Sequence, residues 1–107
     1  MPTEHNKLVR DRIPEIIAAE GRTCNTEILN DEAYRRALRT KLIEEAHEAA
    51  ETNSESDLIK ELADLFEVAE AVMKANGIDV ETVKDKQQER CESRGGFEQR
   101  IFLLWTE

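Results

Sequence analysis

Apolar residues recur along most of this chain at the three- and four-residue spacing that gathers them on one side of a helix. The pattern is clearest between residues 31 and 76, where the polar segment TNSES breaks it once. Before the break, Tyr34, Leu38, Leu42, Ala46 and Ala49 form one stripe on a wheel of about 100° per residue. A helix is predicted there, capped by Asn30 or Asp31 and running to about Thr52. After the break, Leu58, Leu62, Leu65, Phe66, Val68, Ala69, Val72 and Met73 spread over half the wheel, an arc wide enough to touch two neighbours. This second helix is predicted from Ser54 or Ser56 to Asn76, with Asn76-Gly77 as its stop. Carboxylates interrupt both apolar faces. Glu45 falls inside the first stripe, Glu61 inside the second arc and Asp64 at its margin, while Lys41 and Glu48 share the edge of the first.

The outer segments are weaker in pattern. Residues 1–9 turn from polar to apolar and read as an ordered arm. Pro14 suits the first turn of a short helix with an apolar face of Ile13, Ile16, Ile17 and Ala18, which Gly21 stops. RTCNTEILN alternates and is β-branched, so a strand is predicted near 23–29. Asp79 caps a mostly polar last helix to about Ser93, with only Val80, Val83 and Cys91 clearly apolar. Gly95-Gly96 ends it, and FEQRIFLLWTE reads as a terminal strand near 98–105. A lone strand leaves backbone groups unpaired, so these two are expected to pair with each other. The expected architecture is a single domain over 1–107: mainly α, a bundle of about four helices, with a small two-stranded β element tying the ends together.

Composition narrows the function. The 107 residues carry 24 acidic and 15 basic side chains, a net charge of −9. That argues against binding a nucleic-acid polymer, whose affinity rests on clustered Lys and Arg. No run of about 18 apolar residues is present, so no membrane span is expected. MPTEHNKLVR lacks the apolar core of a signal peptide, and Cys24 and Cys91 are not in a CxxC spacing. A cytoplasmic protein with two free thiols is the expectation.

The carboxylates carry the chemistry. Glu45 and Glu48 are neighbours on one helix face, and Glu61 and Asp64 repeat the spacing on the next. With a short break the helices pack antiparallel, and the four groups lie at similar distances from the turn. Like charges brought together raise one another's pKa unless a cation joins them. Hard oxygen donors of this kind suit Mg²⁺ or Mn²⁺. The plainer reading is that acidic residues on helices are solvated, and two pairs at apolar faces weaken it. Glu44 and His47 form one ExxH pair, where a di-iron bundle needs two, and His47 projects away from the stripe. Lys86, Arg90 and Arg94 recur every four residues on the last helix, and Lys7, Arg10 and Arg12 cluster at the other end of the chain. A metal-binding acidic seam bordered by such cations suits a polyphosphate substrate. Alone, the stripe also has a plainer reading, a solvated face with i,i+4 pairs to Asp or Glu.

EEAHE at 44–48, followed by ELAD at 61–64, resembles the ExxE…ExxD signature of the all-α nucleotide pyrophosphohydrolases, which include MazG-like enzymes and phosphoribosyl-ATP pyrophosphohydrolase. NKLVRDRIPEII at 6–17 and SRGGFEQRIFL at 93–103 resemble the short MazG-like, phosphoribosyl-ATP pyrophosphohydrolase-like branch. The resemblance implies Mg²⁺-dependent hydrolysis of a nucleoside triphosphate, or a related nucleotide, between the α and β phosphates. The products are a monophosphate and pyrophosphate, and house-cleaning of non-standard nucleotides is one role. By position, it implies Glu45, Glu48, Glu61 and Asp64 as metal ligands, and Glu44 and Glu45 as the catalytic carboxylates, Glu44 handling the water. Lys86, Arg94, Arg90, Lys7 and Arg10 are the implied phosphate contacts, and Asn6 and Asp11 the implied contacts to base or sugar. A homodimer or higher homo-oligomer is implied as well. Two alternatives stand beside this reading: the phosphoribosyl-ATP reaction of histidine biosynthesis, and a non-catalytic helical nucleotide-binding or regulatory module.

Overall fold

The computed structural model describes residues 2–107 and contains four helices: α1 (Ile13–Ala19), α2 (Asp31–Ala50), α3 (Glu55–Ala75) and α4 (Val80–Arg94). The chain forms two compact units, Met1–Gly77 and Ile78–Glu107. The first holds α1, α2 and α3; the second holds α4 and the terminal segment.

In the first unit α2 and α3 pack on each other as an antiparallel hairpin, joined by residues 51–54 alone. Local chemistry sets both starts. The Asn30 side-chain oxygen accepts from the Ala33 N–H at 2.9 Å, and Ser54 Oγ accepts from the Asp57 N–H at 3.1 Å. Each satisfies an amide that the helix leaves unpaired, a gain of about 1 kcal/mol. The ends are closed as well. The Thr52 hydroxyl donates to the Ala49 carbonyl at 3.0 Å, and the Asn76 amide donates to that of Val72 at 2.7 Å. Gly77 then leaves α3 with φ 66°, a left-handed conformation that costs glycine little.

The hairpin buries a narrow seam. Among the described residues, Leu38 and Val68 are the apolar residues that are buried. The apolar arc of α3 is divided by this packing. Leu65, Val68 and Val72 lie on the packed side, whereas Leu58, Ile59, Leu62 and Phe66 are exposed, Phe66 at 70%. The arc is wide enough for two neighbours, and α2 covers one half of it. The short α1 lies nearby in sequence with Ile13, Pro14 and Ile17 half-buried.

In the second unit Asp79 caps α4, its carboxylate accepting from the Glu81 N–H at 3.3 Å. The helix carries no buried residue and stops at Gly95.

The expected two-stranded β element is not formed: no strand occurs among the described residues. Residues 23–29 and 98–105 are irregular and, but for the half-buried Leu29, exposed, with Ile28 at 97%. Within the second of these segments, Arg100 takes φ 59° and its N–H donates to the Phe97 carbonyl at 3.1 Å, a turn that breaks the alternation. Period-two patterning describes a chain that would fit a pleated surface; a strand exists only when a partner supplies the ladder. Nor is any helix long and apolar enough to cross a membrane.

Candidate metal centre

Glu45 lies in the last turns of α2 and Glu61 and Asp64 in the first turns of α3, so an antiparallel hairpin brings them level. Carboxylate oxygens of Glu45, Glu61 and Asp64 all fall within 4.8 Å of one another. Glu45 is only 6% exposed. One oxygen of Glu45 (Oε2) and one of Glu61 (Oε2) are buried without a hydrogen-bond partner. Burying a carboxylate oxygen unpaired is expensive, and native structures rarely tolerate it without reason. Burial pushes the Glu45 carboxyl above its usual range, and the neighbouring Glu48 carboxylate pushes it further, against the opposing pull of Lys41.

Two protein cations already touch the cluster. Lys41, on the turn of α2 before Glu45, places Nζ 3.4 Å from Glu45 Oε1 and 3.3 Å from Glu44 Oε2. Arg10, from the arm ahead of α1, donates from Nη2 to Asp64 Oδ1 at 2.7 Å. These contacts leave both orphaned oxygens unsatisfied. Three hard oxygen donors spread over this distance match the roughly 4–5 Å span of the coordination sphere of Mg²⁺, Mn²⁺ or Ca²⁺. The donor set fits a hard divalent cation.

The remaining predicted residues are distributed unevenly. Glu48 adjoins Glu45 on α2 but is exposed and stands outside the convergent three. Glu44 is half-buried and engaged by Lys41. Asn6 and Lys7 are exposed on the arm, Asn6 with φ 47°. Asp11 lines a shallow groove with Tyr34, Glu67, Glu70 and Lys74. Lys86, Arg90 and Arg94 belong to the second unit, all exposed, and Lys86 pairs with Glu89 at 3.1 Å. His47 is exposed and its Nδ1 lies 3.3 Å from Glu51. Lys41 escaped sequence reasoning as a partner of the site, although its i,i+4 spacing to Glu45 was the available signal. The contact from Arg10 to Asp64 spans 54 positions and left no local trace.

The raised Glu45 carboxyl gives an expected result. Its charged form is disfavoured by folding, so a neutral isostere is favoured. In buffer with chelator, Glu45→Gln should stabilise the hairpin, read as a higher melting temperature by circular dichroism. The same variant should lose any stabilisation that Mg²⁺ confers on the parent.

A helical hairpin with an inward cluster of three carboxylates defines the class: an α-helical protein with a carboxylate cluster in a helix–helix seam, its donors suited to a divalent cation. The chain belongs to the phosphoribosyl-ATP pyrophosphohydrolase family, whose model matches residues 6–91. The match takes in the arm from residue 6, the whole hairpin and most of α4, and leaves the SRGGFEQRIFL block outside. The chain is also similar to an uncharacterized protein of Mycolicibacterium smegmatis, at 54% identity over 48 residues. That similarity covers 43% of this chain and 49% of the relative, so the chain spans about half the length of the curated relative it matches. No solved structure matches.

Proposed function

We propose that this protein is a Mg²⁺-dependent nucleotide pyrophosphohydrolase that cleaves a nucleoside triphosphate, or a related nucleotide, between the α and β phosphates. The observation that carries the reading is the convergence of Glu45, Glu61 and Asp64 with two buried carboxylate oxygens unpartnered. Family membership supports the reaction class. In this reading Glu45, Glu61 and Asp64 hold the ion, and Glu48 borders it. Mn²⁺ serves as well, because the donors are hard oxygens. A divalent cation bound there supplies charge stabilisation at phosphorus and a more acidic water. Glu44 is the adjoining carboxylate able to orient that water and accept its proton. Lys41 holds Glu44 and Glu45 in register.

Phosphoribosyl-ATP is the second reading for the substrate, favoured by the description of the matching family. Both readings are separated by one experiment: pyrophosphate release from standard nucleotides, altered nucleotides and phosphoribosyl-ATP, with Mg²⁺ and with chelator. Release from one of these only with Mg²⁺ is the expected result. Absence of release from every one of them would leave a non-catalytic nucleotide-binding module as the better reading.

A homodimer or larger homo-oligomer belongs to the proposal. Leu58, Ile59, Leu62 and Phe66 make one contiguous exposed face on α3, beside the half that α2 covers. A second copy presenting the same face would bury it symmetrically.

A further inference from the structure

The three clustered carboxylates are not equally committed to protein partners. Lys41 sits on the same helix as Glu45, its side chain is 16% exposed, and it contacts two carboxylates at once. It is a fixed part of the seam. Arg10 differs in every respect. Its side chain is 57% exposed, it uses a single Nη2 contact, and it comes from a segment without helix or strand. Among the described residues, that contact is the one side-chain hydrogen bond from the arm to the α2–α3 hairpin. The remaining hydrogen bonds of residues 2–12 are local, from Arg12 to Glu15 and from the first amides of α1 to Arg10 and Arg12.

We infer that Arg10 is a displaceable counter-cation of the carboxylate cluster, which leaves Asp64 when the cluster takes up a divalent ion and so releases the N-terminal arm from the hairpin. The inference rests on the metal reading of the cluster. An exposed ion pair is held weakly. A dication a few ångströms from a guanidinium repels it with twice the charge that Asp64 offers in attraction. Lys41 has no comparable exit, being nearly buried and tied to Glu44 as well as Glu45. Arg10, once free, presents a planar fork suited to phosphate oxygens. Metal uptake and exposure of a phosphate-binding group become one event, and the coupling is reciprocal: whatever holds Arg10 on Asp64 weakens the ion.

The test uses the full chain with Mn²⁺ as probe. Free Mn²⁺ is followed by electron paramagnetic resonance for the parent, Arg10→Gln and Arg10→Lys. Hydrogen exchange over residues 2–12 is followed with and without Mn²⁺. Arg10→Gln should bind Mn²⁺ about three- to tenfold more tightly than the parent, with Arg10→Lys between the two. In the parent, Mn²⁺ should speed exchange in the arm; in Arg10→Gln the arm should already exchange fast and respond little. Equal Mn²⁺ affinity in the parent and Arg10→Gln, or an arm indifferent to Mn²⁺ in the parent, overturns this inference and leaves the metal centre standing. No Mn²⁺ binding by any of the three proteins overturns the metal reading itself.

Discussion

Glu61→Gln should lower Mg²⁺-dependent pyrophosphate release on the order of a thousandfold while leaving the helical circular dichroism signal intact. The substitution is isosteric and removes one charge from a group with a buried, unpartnered oxygen. Nothing in the hairpin depends on that oxygen as an acceptor. Losing it therefore costs the fold little and relieves repulsion from Glu45 and Asp64. The cation site loses more, because an amide is a far weaker donor to a hard dication than a carboxylate. Steady-state release at saturating Mg²⁺, paired with a thermal melt, makes the comparison. A variant that unfolds would mark Glu61 as a structural residue, and one that keeps full activity would remove it from the site.

Phe66→Lys, combined with Ile59→Lys, should convert the proposed homo-oligomer to monomer in sedimentation velocity. Both side chains stand on the exposed apolar face of α3, Phe66 at 70% and Ile59 at 61%. An aromatic side chain buries on the order of 150–250 Å² when covered. At about 25 cal/mol per Å² that is several kcal/mol per symmetric contact. A lysine at its centre adds an unpaired charge to the interface. A parent that sediments as a monomer at every concentration would reject the homo-oligomer.

The reading of helices from sequence succeeded where local physics decides. Asn30, Ser54 and Asp79 are caps because a short oxygen-bearing side chain reaches the free amides whatever the rest of the chain does. Glu45 and Glu61 stood out because each breaks an apolar stripe, and a stripe is a statement about one helix alone. The strands failed for the opposite reason. Residues 23–29 and 98–105 have the composition of strands, but a ladder requires a second backbone at the right distance, which composition cannot supply.

The sequence by itself determined the four helices, their stops, and the placement of Glu45 and Glu61 on packing faces, because capping and helical periodicity act over a few residues. It also carried the family, through NKLVRDRIPEII, EEAHE and ELAD. Only the tertiary structure decided which three carboxylates converge, that Glu48 stays outside them, that two of their oxygens are orphaned, and that Lys41 and Arg10 are the cations in contact. Convergence depends on how two helices rotate against each other, and the Arg10 contact on where an irregular arm crosses them. Both are long-range choices made by packing and charge, and neither has a period that can be read along the chain.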